Sequence, residues 1–214
     1  MSLIDLTLTL KPDMRGVEWE PARTLEADGW NARTLHLYSH CGTHMDAPWH
    51  FGCSENFIDE TPLERCLTKA HVVRLPDTQP RELLTVSHLG DLANSFPAGD
   101  SLLLHTGWSS FVEDDQRYRL ELPRISEELA HWCVENKVAV LGVEPPSVAD
   151  VANLPEVTLI HQILLGGDVT IVEGLTNLDQ LPDYPVLFGA MPLKIEQGDG
   201  CPCRAFASTE TIVL

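Results

Sequence analysis

Three histidines and an aspartate, types that bind metals or move protons, crowd one stretch, SHCGTHMDAPWHF, running from Ser39 to Phe51: His40, His44, Asp46 and His50. A divalent ion needs three or four converging nitrogen, sulfur or oxygen donors, and catalytic sites commonly combine histidines with a carboxylate and leave a position for water. His40, His44 and Asp46 supply such a set. Gly42 lets the backbone double back, and Thr43 can hydrogen-bond locally to fix the turn or to support a ligand. The competing reading is a polar surface loop in which histidines happen to cluster.

The elements that must position these residues alternate in type. LIDLTLTL (Leu3 to Leu10) and TLHLYSH (Thr34 to His40) alternate apolar and polar residues and predict half-buried strands, so the histidine cluster follows a strand. Pro48 and Gly42 predict that the cluster itself is irregular, since proline cannot donate to a ladder and glycine marks a turn. AHVVRL (Ala70 to Leu75), SLLLHTG (Ser101 to Gly107) and VAVLGVE (Val138 to Glu144) are apolar runs of strand length. Between the last two, SEELAHWCVENK predicts a helix with Ser126 as N-cap and Leu129, Trp132 and Cys133 on one face. A second helix is expected from Pro155 to Leu165, closed by Gly166 and Gly167, and VTIVE (Val169 to Glu173) is β-branched strand. PVLFGAMPL and TETIVL read as late strands. The fold class is α/β, a mixed β-sheet with packed helices, in one domain over 1–214, since no repeat, low-complexity tract or linker divides the chain.

His40, His105, Glu144 and Glu173 fall at the C-terminal ends of expected strands, where sites gather in loops. His161 lies in the helix before the strand ending at Glu173, so one helix-to-strand return could bring the two to one site. His36, His71, His88 and His131 stand singly, without ligand types nearby, and are expected to be structural.

Composition narrows the partners. With 14 basic against 32 acidic side chains the formal net charge is -18, which would repel phosphate backbones and anionic headgroups, so nucleic acid and membrane surface are not expected partners. No signal-peptide pattern opens the chain and no apolar run approaches the roughly 18 residues that span a bilayer, so a cytoplasmic location is expected. The six cysteines are expected as free thiols there.

HCGTHMDAPWH resembles the motif H-x-G-T-H-x-D-x-P-x-H of the metal-dependent cyclase-like hydrolases, the family of the bacterial kynurenine formamidases and isatin hydrolases. LLLHTGW is similar to the family's strand ending in R-T-G-W, and His161 and Glu173, followed by EGLTNL, resemble its second ligand pair. The resemblance implies a swivelling β/β/α type of fold and a homodimer or homotetramer. It implies that His40, His44 and Asp46 bind one metal, zinc or manganese, and that Asp46, His161 and Glu173 hold a second, with the aspartate bridging. Glutamate at 173 favours this two-metal form over the single-metal members that carry glutamine there.

His50 is then the catalytic acid/base, which agrees with its place too far along the loop to be needed as a ligand. The activity implied is hydrolysis of the C–N bond of a small amide, aryl formamide or cyclic imide or lactam, through a metal-activated hydroxide with His50 shuttling the proton to the leaving nitrogen. The alternatives are a metal-dependent cyclase or dehydratase, or a metal-binding protein without turnover. The chain departs from the family in lacking a W-P-G-D segment after the first strand, which weakens N-formylkynurenine as the substrate. It also has Glu144 where aspartate is usual and His105 where arginine is commoner, both expected near the pocket, with Trp49, Phe51 and Trp108 as a possible apolar wall.

Overall fold

The computed structural model describes residues 2–210. In chain order the elements are β1 (Leu3–Asp5), β2 (Val17–Arg23), α1 (Leu25–Asp28), β3 (Ala32–Leu37), β4 (His44–Asp46), β5 (Leu67–Arg74), β6 (Leu83–Leu84) and β7 (Ser101–His105). Then follow α2 (Asp115–Leu120), β8 (Arg124–Ile125), α3 (Glu127–Glu135), β9 (Val140–Val143), α4 (Leu154–Gly166), β10 (Thr170–Glu173), β11 (Val186–Pro192) and β12 (Gly200–Ser208).

The main sheet is mixed. β5, β7, β9 and β10 run parallel to their neighbours in that order, while β11, β12, β4 and β1 pair antiparallel. Because β4 pairs with both β10 and β12, the pairings form a ring from β12 through β11, β5, β7, β9, β10 and β4 back to β12, which leaves few edges to protect.

Alternation along the strands builds two apolar clusters. Leu103, Val140 and Val172 join Met45, Phe188 and Ala205 on one face, whereas Leu102, Leu104, Leu141 and Ile171 pack with Leu129 and Cys133 of α3 and Ile160 and Leu164 of α4 on the other. Burial on both faces is why these strands read as continuous apolar runs.

The expected helices form where their caps indicate. Ser126 accepts the Leu129 N–H at 3.0 Å, and α4 starts after Asn153 with Pro155 in its first turn. Other expectations are corrected. The loop reading of the histidine cluster fails at its centre, because His44–Asp46 is a strand held between two partners, with Pro48 and Gly42 just outside it. The Thr34–His40 strand ends at Leu37 and pairs with β2 in a separate hairpin, and the Leu3–Leu10 strand stops at Asp5. The expected strand TETIVL lies almost wholly outside the described residues. The strand that closes the ring is β12, whose Gly200 and Pro202 hid it.

Two glycines set the backbone beside the cluster. Gly42 has φ +59° and Gly174, just after β10, has φ +68°; a Cβ on Gly174 would lie 2.5 Å from the Gly42 carbonyl oxygen. Gly174→Ala therefore combines a left-handed backbone with a backbone clash. It is expected to cost about 2–4 kcal/mol, read as a lower denaturation midpoint in urea; an unmoved midpoint would mean the loop relaxes freely.

Candidate metal centre and active site

Strand pleating brings the cluster together. His44 and Asp46 are two residues apart on β4 and share a face, while Met45 between them points into the core. The antiparallel register sets Glu173 of β10 opposite His44 and Ile171 opposite Asp46, so the glutamate shares that face. α4 then lies over it with His161 on its buried side, beside Ile160, Leu164 and Leu165. Thr43 ties the loop to distant backbone rather than to itself: its hydroxyl accepts the Leu8 N–H at 2.8 Å and donates to the Gly174 carbonyl.

The structure thus brings His40, His44, Asp46, His50, His161 and Glu173 to one place. Asp46 Oδ1 lies 2.8 Å from His40 Nδ1 and 3.6 Å from His44 Nε2, and Asp46 Oδ2 lies 3.7 Å from His161 Nε2. Glu173 reaches His44 Nε2 at 3.2 Å and His161 Nε2 at 3.4 Å, and its Oε1 accepts the Val148 N–H at 2.8 Å. His44, Asp46, His161 and Glu173 are each no more than 3% exposed.

This donor set fits a divalent cation. His44 Nδ1 faces the Gly42 carbonyl at 3.0 Å and His161 Nδ1 the Val157 carbonyl at 2.7 Å. A carbonyl only accepts, so both rings carry their proton on Nδ1 and turn Nε2 towards the carboxylates. A bare Nε2 lone pair against a carboxylate is repulsive unless a proton or a cation lies between them. The separations of 3.2 to 3.7 Å match donors around a tetrahedral ion, whose bonds of about 2.1 Å put neighbours about 3.4 Å apart. Asp46 Oδ2 is buried without a hydrogen-bond partner, a state that costs roughly 1–3 kcal/mol and that a cation would relieve.

Two groups of donors share Asp46: His44 with Asp46 and Glu173, and His40 with Asp46 and His50, each with ligand atoms within 4.8 Å of one another. His50 is closer than its place along the loop suggested. The turn Pro48–Phe51 ends at Gly52 with a left-handed backbone and lays the His50 ring flat on His40, centroids 3.8 Å apart.

Electrostatics reflect the crowding. Burial alone would push the His40 imidazolium down, but the hydrogen bond and charge of Asp46, then Asp199, hold it up at about 9. Burial likewise opposes charging of His44 and His161, and Glu173 with Asp46 overrides it and raises both. Burial would raise the Glu173 carboxyl, yet His161 and His44 hold it far below the usual carboxylate range. His50 is pushed down by burial and by the charges of His40 and His161, which favours its neutral form.

Asp199 was missed in the sequence. Its Oδ2 lies 2.9 Å from His40 Nε2 and 3.7 Å from His50 Nδ1, and it accepts from Ser39 Oγ at 3.1 Å. It enters just ahead of β12, 159 residues from His40, and only its place between Gly198 and Gly200 marked it in the sequence.

Two cavities open on the cluster, about 350 and 250 Å³, and both are lined by Tyr38, His40, His44, Arg119 and Pro146. The smaller also reaches His50, Phe51, Val157, His161 and Glu173. Of the residues expected to line the pocket, Phe51 does, in the smaller cavity, whereas Trp49, Trp108, His105 and Glu144 line neither. Glu144 is buried and accepts the N–H groups of Thr106 and Trp108 and the hydroxyl of Ser109, so it pins the loop after β7. Trp108 fills a core cluster with Tyr118 and Leu122, His105 sits beside Arg74, and Trp49 packs on Phe57. His36, His71, His88 and His131 lie apart from the cluster, beside Glu20, Asp100, Thr85 and Glu127 respectively.

Comparison with known proteins gives the family. The family model described as "Putative cyclase" matches residues 4–150. A kynurenine formamidase of Salinibacter ruber is 29% identical over 215 residues, covering 96% of each chain. An isatin hydrolase of Roseibium aggregatum is 27% identical, covering 94% of this chain and 85% of the relative. Isatin hydrolase A of Ralstonia solanacearum superposes with a TM-score of 0.87 at 28% identity, covering 96% of this chain and 91% of that one. With its family motif on β4 and the turns around it, and a match across more than half its length, the chain belongs to the cyclase family.

Proposed function

We propose that this protein is a metal-dependent hydrolase that cleaves the C–N bond of a small amide, aryl formamide or cyclic imide or lactam. The observation that carries the reading is the buried Asp46 carboxylate, whose Oδ2 has no hydrogen-bond partner, set among His40, His44, His161 and Glu173, with His50 stacked at the cavity side. In this reading His40, His44 and Asp46 hold one divalent ion, zinc or manganese, and Asp46, His161 and Glu173 a second. When bound, such an ion acts as a Lewis acid and lowers the pKa of water from about 15.7 towards about 7.

The protein's own groups do the rest. Nδ1–H bonds to the Gly42 and Val157 carbonyls fix the rings of His44 and His161. Phe51 and Val157 exclude water from one side and orient the body of the substrate. The His50 ring, beside the cluster and in contact with the cavity, takes the proton from the attacking water and delivers it to the leaving nitrogen, which is a poor leaving group until protonated. The proposal includes one swivelling β/β/α domain over 1–214 and a cytoplasmic location, for which the six unpaired cysteines are the support. Among the described residues no helix is long and apolar enough to cross a membrane. A homodimer or homotetramer is part of the same reading, and the β2–β3 hairpin carries exposed Trp30 and Leu35 that a second copy could cover.

Metal-loaded protein incubated with formanilide and with isatin tests the activity by mass. Isatinate, heavier than isatin by one water, and the fragments aniline and formate from formanilide, which together take up one water, are expected. Loss of water from a hydroxylated substrate would favour a cyclase or dehydratase, and full metal occupancy without turnover across an amide and lactam panel would favour a binding protein. Asp199→Ala removes the partner of His40 Nε2 and is expected to weaken metal binding about 10–100-fold, as loss of a carboxylate behind a ligating histidine does. Competition with a fluorescent chelator measures it, and unchanged affinity would mean that Asp199 does not orient His40.

A further inference from the structure

We infer that Arg119 is the anchor for an anionic group on the substrate, so that the amide or imide this site takes carries a carboxylate near its scissile C–N bond; the inference rests on the hydrolase reading above. Arg119 lies in the last turn of α2 and lines both cavities together with His40 and His44. It is half-buried, and its guanidinium forms no hydrogen bond or ion pair with any described residue. Three other cations on this side of the molecule are engaged. Arg117 stacks over the Phe111 ring at 3.6 Å, Arg81 pairs with Asp150 at 2.8 Å, and Lys11 pairs with Glu113. Arg15, which also lines the larger cavity, is exposed and lines only that one.

A guanidinium taken partly out of water needs an anion. The groups whose charge reaches Arg119 are Asp115 on its own helix, Glu173, Tyr38 and Arg15, none at ion-pair distance. Burial, then repulsion from Arg15, pushes its pKa down, yet a guanidinium remains charged at neutral pH. Glu173 is already turned to His44 and His161. The remaining partner is a ligand. The flat guanidinium fork matches a carboxylate in a bidentate pair, and Phe51, Val151 and Val157 give the smaller cavity an apolar wall for a ring. With a net charge of -18, the protein as a whole repels anions, so an unpaired cation beside the cluster is a local reversal of the field.

The test uses the full metal-loaded chain and two formamides that differ by one carboxylate, 2-formamidobenzoate and formanilide. In Arg119→Gln the ratio of kcat/KM for the first over the second is expected to fall about tenfold or more, chiefly through KM, and Arg119→Lys should recover part of it. A role in holding α2 together would lower both substrates equally and leave the ratio unchanged, which overturns the proposal. Benzoate binding by calorimetry, with metal content measured on the same samples, separates this from the hydrolase reading. If wild type turns over neither formamide but binds benzoate at least tenfold more tightly than Arg119→Gln, the anion site stands and the amidase reading fails. Benzoate binding that is absent in wild type, or equal in the variant, overturns the anion site.

Discussion

Asp46→Ala is expected to empty the site: bound zinc or manganese falls to near zero per chain and amide turnover drops by at least about 10³-fold, since metal activation of water and polarisation of the carbonyl are lost together. Asp46 is the residue both donor groups share. Without it His40, His44 and His161 lose a common carboxylate, and Glu173 alone remains opposite the two inner imidazoles. The same variant separates metal loss from misfolding. Wild-type protein should gain about 4 kcal/mol of stability at a metal concentration a thousand times Kd, seen as a higher Tm, while Asp46→Ala should melt at the same temperature with and without metal. A variant that still binds metal with wild-type stoichiometry would remove Asp46 from the ligand set.

The second large effect is at His50. His50→Ala should lower kcat about 10²–10⁴-fold, the usual contribution of a positioned acid/base, with metal content unchanged. The geometry makes this test sharp, because His50 lies near enough to His40 and Asp46 to be a ligand itself. Loss of metal along with activity would make His50 a ligand and leave the proton transfer to another group. Retained metal and retained activity would exclude both roles. The stacking on His40 fixes the ring that must move the proton, so a partial loss of kcat on replacing Gly52 with alanine, where the left-handed turn ends, would follow from the same geometry.

The members of the cluster were legible because a short motif fixes the spacing of His40 to His50 and one helix-to-strand return joins His161 to Glu173, and the register of β4 on β10 brings them together: residues 44 and 46 share a face, and residue 173 stands opposite 44. The strand character of His44–Asp46 was hidden, since its length is set by partners on both sides and not by its own propensity. β12 was hidden for a related reason. Gly200 and Pro202 have low strand propensity, yet the strand forms because β11, β4 and β1 all pair with it. Glu144 and His105 were placed near the pocket by their strand-end positions, but a strand end says nothing about which face the side chain takes; Glu144 turned to the loop N–H groups of Thr106 and Trp108. Asp199 and Arg119 reach the site from segments far away in sequence, with no motif around them, and only tertiary packing reveals them.

The measurement to make first is anomalous X-ray diffraction from crystals of the protein reconstituted with zinc or manganese. A peak bonded to the Asp46 carboxylate and to donors from His44, His161, Glu173 or His40, at about 2.0–2.3 Å, is the expected result, and a second peak sharing Asp46 would establish the bridged pair. No metal after reconstitution, or peaks only at surface carboxylates, would mean that these buried histidines and acids are held by protons alone and that the metal-dependent reaction does not occur here.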